Sequence, residues 1–548
     1  MNFEEIRHKY FLDSGNQDLC ALWLHRALEA SFHFLQNPEH LKIHSDVTLP
    51  DLEKIFHECQ APQIGEGLEA TFQQAVHVVL RHSVRVANPY YIGHMTQSVP
   101  YFGLIVDLLT SALNQNVVKI ETALSASFVE GQTLVWLHKL VFGRSESFYR
   151  KVIHNPDVCL GNVTSGGTLG NLTALTVARN LKLPNSSTKG VAQALVESGY
   201  SRVVILTSKR VHYSVKKAAG VLGLGGDNVL EIPVGNFSNS IDIKELENKI
   251  ATLKSEKALI LALVGVAGST ETGSIDDLPA LARMAQAHDI WFHVDAAWGG
   301  AILLSDKYKQ ILDGIQLADS VILDGHKLFY LPLSNGAVLF KNEKHLDSLR
   351  HTARYIIRQG SVDLGRTSLE GSRRFDSFKM WFFLKVFGTT GYGKLIDHSL
   401  ELTRKFETMI SLHNFFQATS QVQTNILTYR YVPEEWKTKL TELENIVDIP
   451  QIHIAFANEF LNSLNVEIQK VQRQNGRSFV SRTTLESVFP GHETVVFRVL
   501  PFNPLTTPQI LADILSEQKV LGIRLQRLHW RRFKKSSPHG FENFFALP

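Results

Sequence analysis

Ser320-Val-Ile-Leu-Asp-Gly-His-Lys327 sets a short apolar run directly before a carboxylate, an imidazole and an amine. Three comparable runs lie upstream: Val203-Val-Ile-Leu206, Leu259 to Val266 and Trp291-Phe-His-Val294, with helix-like stretches between them. Near-continuous apolar strands alternating with helices predict an α/β fold whose mostly parallel sheet is covered on both faces. Thr272 to Gln286 is expected to be a crossover helix. Right-handed crossovers bring the loops that follow the strands to one sheet edge, and ligands of open α/β sheets collect at the strands' carboxyl ends. Lys327 is thereby expected at a ligand-binding edge.

Outward from this core, Ala87 to Phe142 has helix-like apolar spacing punctuated by Pro89 and Pro100, and Arg374 to Phe387 reads as a further helix. Beyond it, Asn425-Ile-Leu-Thr-Tyr429 and Val495-Val-Phe-Arg-Val499 are strand-like, while Phe456, Phe460, Leu461 and Leu464 recur at helical spacing. The expected organisation is an N-terminal helical segment (1–86), a large domain (87–387) and a smaller α+β C-terminal domain (388–548).

The 548 residues are 44% apolar and 20% charged, which excludes a disordered or fibrous chain. Lys plus Arg number 56 against 53 Asp plus Glu, too small a surplus to suggest nucleic acid as a partner. Cys20, Cys59 and Cys159 offer neither a disulfide framework nor metal-ligand spacing, so no metal is expected and a reducing, cytoplasmic setting fits. The most apolar run, Ala258 to Gly268, is 11 residues long, half of what a membrane span needs, and is expected to be a buried strand. Met1 to Tyr10 is rich in charge and no apolar signal core follows, so neither a targeting segment nor a membrane partner is expected.

Four places carry chemistry. Thr164-Ser-Gly-Gly-Thr-Leu-Gly-Asn171 precedes a helix-like stretch; its glycines let the backbone approach an anion, and Thr168 is expected to cap the helix and donate to phosphate. In His293-Val-Asp-Ala-Ala-Trp-Gly-Gly300, Asp295 falls at a strand end beside small residues, suited to keeping a heterocyclic nitrogen protonated. Lys327, just past a buried strand, is an amine that desolvation makes nucleophilic. His212, in Val211-His-Tyr-Ser-Val-Lys-Lys217, follows another strand and is available to stack on a flat ring; Lys216 and Lys217 are competing amines within a stretch expected to be helical. Each feature alone has a structural explanation: a capped helix, a turn aspartate, a surface lysine, a packed histidine. Together they describe one ligand with a phosphate, a protonatable ring nitrogen, an aldehyde and an aromatic face, which is pyridoxal 5′-phosphate.

From about Ala87 to Pro504 the sequence also resembles the group II pyridoxal-phosphate-dependent decarboxylases, which include glutamate, aromatic amino acid and cysteine sulfinate decarboxylases. It is most similar to their bacterial aspartate 1-decarboxylase branch. The likeness rests on Tyr91-Ile-Gly-His-Met-Thr96, Leu113 to Thr122, His293 to Gly300, Asp363-Leu-Gly365, Leu369 to Arg373, Leu427 to Pro433, Gln469 to Arg473 and Ser478 to Thr483. It implies a fold-type I homodimer with active sites at the subunit interface. By the same resemblance Lys327 forms the Schiff base, His212 stacks on the ring and Asp295 pairs with its nitrogen. Gly167 and Thr168 hold phosphate, and Thr270, Ala297, Asp324 and His326 complete the cofactor set. His94, Met95 and Thr96 line the substrate, and Arg498 grips its carboxylate. Val362 stands where glutamate decarboxylases carry a loop Tyr or Phe, which leaves Tyr355 as the candidate proton donor on a mobile loop from His351 to Ser372. Gly325 stands where relatives often have Pro or Ala.

The implied reaction is α-decarboxylation of a small acidic amino acid, L-aspartate to β-alanine, with Arg354 and Arg358 as further cations. L-glutamate to 4-aminobutyrate and cysteine sulfinate to hypotaurine are the alternatives. A transaminase or other lyase on the same fold is a further possibility. A catalytically silent binding protein, using the basic stretch Arg531-Arg-Phe-Lys-Lys535, is the reading from another class.

Overall fold

The structure is a computed structural model that describes residues 1–351, 360–437, 451–489 and 491–536. Among the described residues the larger sheet contains β1 (Gly161–Thr164), β2 (Val203–Ser208), β3 (Val229–Ile232), β4 (Leu259–Val266), β5 (Trp291–Asp295), β6 (Ser320–Leu323) and β7 (Gly336–Phe340), in the order β1-β7-β6-β5-β4-β2-β3. The β3-β2, β2-β4, β4-β5 and β5-β6 pairs are parallel, as the apolar runs predict. β7 departs from that pattern, pairing antiparallel with both β6 and β1. The chain returns from β6 to β7 through the Lys327 turn, without a crossover helix, and so short a return pairs antiparallel.

Two local expectations need correction. The helix within Thr272 to Gln286 starts only at Leu278, running Leu278–Ala287 behind an Asp277 cap and with Pro279 in its first turn. Residues 272–275 instead belong to a turn closed by the Ala267–Ile275 bridge. Helix Gly167–Lys182 has Gly166 at its N-cap and no side-chain cap, so Thr168 lies inside the first turn and does not cap it.

Ala87 to Phe142 resolves into an irregular stretch followed by helices Phe102–Leu113 and Leu124–Phe142. The helix expected over Arg374 to Phe387 runs Ser377–Ser411, broken at Gly388, whose φ of 61° is costless only without a Cβ. The smaller sheet holds β8 (Phe416–Ala418), β9 (Leu427–Tyr431), β10 (Ser481–Phe489) and β11 (His492–Val499), all antiparallel in the order β10-β11-β9-β8. Tyr429 and Phe497 from this sheet share an apolar core with Phe460 and Leu464 of helix Gln451–Asn475 and Leu511 of helix Pro508–Ser536.

Polar side chains tie the two sheets together. Trp298 Nε1 donates to Asn425 Oδ1 at 2.9 Å, Thr424 Oγ1 to the Gly273 carbonyl at 3.0 Å, and the Tyr330 hydroxyl to the Phe502 carbonyl at 2.9 Å. Segment 1–86 contributes helices Phe3–Tyr10, Gln17–Leu35, Leu49–Ile55 and Leu68–Gln74, none of which has a buried residue. No helix among the described residues is long and apolar enough to cross a membrane.

Candidate active site

Strand periodicity puts His293 and Asp295 on one face of β5, two residues apart. Asn171, on the first turns of helix Gly167–Lys182, faces both. Its Nδ2 donates to Asp295 Oδ2 at 3.0 Å and to Ser214 Oγ at 2.9 Å, and its Oδ1 meets His293 Nε2 at 2.8 Å. A carboxylate only accepts, so Asp295 fixes which way the amide points, and Oδ1 must then accept from His293 Nε2–H. His293 Nδ1 completes its bonding at Ser320 Oγ, 2.8 Å away. Burial lowers the His293 pKa to about 4, so this ring is neutral near pH 7.

The chain of donors continues on the other side of Asn171. Ser214 Oγ, having accepted from the amide, donates its own proton to His212 Nδ1 at 2.8 Å, and the Ser214 backbone N–H adds a longer bond to the same nitrogen. Neutral His212 therefore carries its proton on Nε2. Burial, opposed by the Asp295 charge, lowers the His212 pKa and keeps that form.

β6 delivers Asp324 and Lys327. Lys327 Nζ lies 3.0 Å from Asp324 Oδ2, while Asp324, 2% exposed, has no hydrogen-bond partner at Oδ1. The turn closes with the Tyr330 N–H donating to the Lys327 carbonyl at 2.9 Å. Tyr330 itself is held at φ +65°, a strained conformation for a bulky residue. Its bond to the Phe502 carbonyl secures this conformation from the strand extension that carries Arg498.

A cavity of about 380 Å³ brings together Gly167, Thr168, His212, Thr270, Asp295, Ala297, Asp324, His326 and Lys327. His94, Thr96 and Arg498 form a neighbouring group instead. Thr96 Oγ1 contacts the Tyr91 hydroxyl at 3.3 Å and His94 Nδ1 at 3.4 Å. Burial, reinforced by the charges of Arg498 and Lys327, lowers the His94 pKa. Met95 is buried in the main apolar core. Tyr355, with Arg354 and Arg358, lies outside the described residues.

Arg498 is buried, and burial lowers its pKa to about 10. Its Nη1 makes one long bond of 3.4 Å to Ser481 Oγ, while Nε and Nη2 have no acceptor. Sequence reasoning did not assign Asn171, Ser214 or His293 to the site, nor Arg210, which also lines the cavity. His293 was findable from its spacing to Asp295. Asn171 closes the glycine-rich motif, but nothing local marks it as a partner of a residue 124 positions away.

The donor set fits pyridoxal 5′-phosphate. The first turn of helix Gly167–Lys182 presents backbone N–H groups that have no intrahelical partners, at the positive end of the helix dipole. Glycine keeps that approach open: a Cβ at Gly167 would lie 3.0 Å from Asp324 Oδ2, and one at Gly166 3.1 Å from His326 Cε1. A carboxylate, an imidazole and an amine face the same space. Fold and site together define a pyridoxal-phosphate enzyme.

Comparison with known proteins narrows the class. The family model described as pyridoxal-dependent decarboxylase conserved domain matches residues 50–432. Aspartate 1-decarboxylase of Aliivibrio fischeri is 42% identical over 491 residues, 88% of each chain. L-2,4-diaminobutyrate decarboxylase of Acinetobacter baumannii is 29% identical over 504 residues, covering 90% of this chain and 91% of that one. Among solved structures, mouse CSAD in its apo form superposes with a TM-score of 0.80 at 23% identity, over 92% of this chain and 99% of that one, a likeness of fold. The chain belongs to the pyridoxal-dependent decarboxylase family: it is a pyridoxal-phosphate-dependent amino acid decarboxylase, as the sequence resemblance implied.

Proposed function

We propose that the substrate is a small acidic L-amino acid, foremost L-aspartate, decarboxylated at its α-carboxylate to β-alanine. The observation that carries this reading is Arg498, a buried guanidinium with two nitrogens unpartnered beside the Lys327 cavity. A buried cation with free donors suits a carboxylate, which a guanidinium binds through two parallel bonds. The choice of aspartate is supported by the 42% identity to an aspartate 1-decarboxylase, against 29% to a decarboxylase of a basic substrate.

When bound, pyridoxal 5′-phosphate supplies the electron sink for the pair released as CO₂ departs. Lys327 anchors it, and Gly167, Thr168 and the helix N-terminus receive its phosphate. Asp295, oriented by Asn171, holds a proton at the ring nitrogen. His212 offers its ring face and, through Nε2–H, a donor toward the reacting side. Arg498 and the neutral His94 orient the substrate carboxylate, and the surrounding core excludes water. Tyr355 is our candidate for returning a proton to the product carbon.

We also propose a homodimer. Helix Phe102–Leu113 turns Leu104, Ile105, Leu108, Leu109 and Leu113 to solvent, a contiguous apolar face of the kind that a second copy covers.

Aspartate and glutamate differ by one methylene, worth only ~1–3 kcal/mol of discrimination, so competition is the decisive experiment. Aspartate, glutamate, cysteine sulfinate and representative aromatic and basic amino acids are supplied together at equal concentration and every amine product is quantified. β-Alanine in excess supports the proposal. An excess of 4-aminobutyrate assigns glutamate, hypotaurine formed in preference assigns cysteine sulfinate, and an aromatic or basic amine as sole product refutes an acidic substrate.

A further inference from the structure

A second cavity, of about 90 Å³, lies where the chain after Gly360 meets helix Leu124–Phe142 and the approach to β1. Arg350, Arg366, Asp363, Ser127, His154 and Cys159 line it, and none of its lining residues borders the Lys327 cavity. Arg366 is 3% exposed. Its Nη1 donates to the carbonyls of Pro156 at 3.0 Å and Ser361 at 2.6 Å, but Nε and Nη2, both buried, have no acceptor.

Arg350 is better served. Its Nη2 pairs with Asp347 at 2.5 Å and bonds the Asp157 carbonyl at 3.0 Å, yet its buried Nε is also without an acceptor. Among the described residues no carboxylate pairs with Arg366. A buried guanidinium without a counter-charge is strongly destabilising, because desolvation is not offset by Coulomb attraction. Two partnerless N–H groups add the cost of unmade hydrogen bonds. Neutral carbonyls at one nitrogen leave both costs standing.

We propose that this cavity binds one small monovalent anion, of halide to simple carboxylate size, between Arg366 and Arg350. The volume sets the limit. By that measure one water needs about 10–15 Å³, so the space holds a few water-sized groups and accommodates a halide with water, or a formate. The bound anion supplies the missing counter-charge and ties residues 361–367 to the root of β1. Gly365 N–H already donates to the Val118 carbonyl at 3.0 Å, and the carboxylate of Asp363, itself a lining residue, accepts from Ile120 N–H at 2.9 Å and from the Ser361 hydroxyl at 2.5 Å. The anion thus completes the anchoring of the segment that follows 352–359.

The test uses the holoenzyme in sodium bromide, chloride, formate or gluconate at matched ionic strength. Thermal unfolding is followed, and crystals grown in bromide are measured for anomalous scattering. The expected result is a saturable rise in Tm of about 2–4 °C with the small anions and none with gluconate, lost in Arg366→Gln, together with a bromide peak beside Arg366 Nε and Nη2. A shift with formate alone identifies a carboxylate site, and one with bromide and chloride alone a halide site. Should Arg366→Gln fail to fold, the wild-type anomalous map decides. Equal Tm in all four salts with no bromide peak overturns the proposal. So does a carboxylate from a second copy of the chain seated against Arg366.

Discussion

Asn171 donates to the buried carboxylate of Asp295 at 3.0 Å, and the same amide nitrogen reaches Ser214, which in turn bonds His212. One side chain thereby orients both groups proposed to face the cofactor ring. Asn171→Ala removes a hydrogen bond to a charged acceptor, worth ~1.5–3 kcal/mol. Pyridoxal phosphate affinity should fall about 10- to 100-fold, read by absorbance titration of the apoenzyme. Unchanged affinity together with unchanged kcat would remove Asn171 from the site.

Lys327 is the amine that shares a cavity with Asp295, His212 and the glycine-rich helix start, whereas Lys216 pairs with Glu231 on the helix that follows His212. Borohydride treatment of the yellow holoenzyme should bleach it and leave a reduced cofactor adduct on Lys327 in the peptide map. An adduct on Lys216 or Lys217 would sink the assignment.

Truncating Arg498 strands the carboxylate it is proposed to bind. With ~1.5–3 kcal/mol per charge-assisted bond and two nitrogens free, Arg498→Gln should lower kcat/KM for aspartate by about 10²- to 10⁴-fold. The cofactor's absorbance spectrum should stay intact. A normal kcat/KM would place the substrate carboxylate elsewhere.

Stability should rise with pH between about 4 and 6.5. Burial lowers His293 and His138 to about 4 in the folded protein, below the ~6.5 of an unfolded histidine. The unfolded chain therefore binds more protons in that window, and the stability present above pH ~6.5 is lost as pH falls through about 4. His212 and His94, also lowered, act in the same direction. His345, His413 and His529 are lowered as well, while Asp276, raised to about 6 by burial, opposes them together with Asp319, Glu370 and Glu407, also raised by burial: seven histidines against four carboxylates. Urea midpoints measured from pH 4 to 7 check the slope, and a fall with rising pH contradicts it.

The apolar face of helix Phe102–Leu113 should be covered in solution. Light scattering on the eluting protein is expected to give twice the chain mass, and Ile105→Asp combined with Leu108→Asp to give a monomer. A wild-type monomer at micromolar concentration refutes the dimer.

The strands β4 and β6 coincide with apolar runs visible in the sequence, and β2 and β5 extend theirs by one or two residues. A strand buried on both faces must be apolar along its whole length, which is a local signal. The chemistry-bearing residues were legible for the same reason: Asp295 and Lys327 stand directly at or after those runs, and Gly167 and Thr168 open a helix. Tertiary structure decided what these residues touch. The reversal of β7 depends on how the Lys327 turn folds back, and the Asn171 bridge joins residues 124 positions apart. Arg498 gave no sequence sign of its missing partners, because a buried cation is recognised only when everything packed around it is known. Periodicity records which face of an element is buried; pairing across the sheet edge is a long-range contact, and no local pattern encodes it.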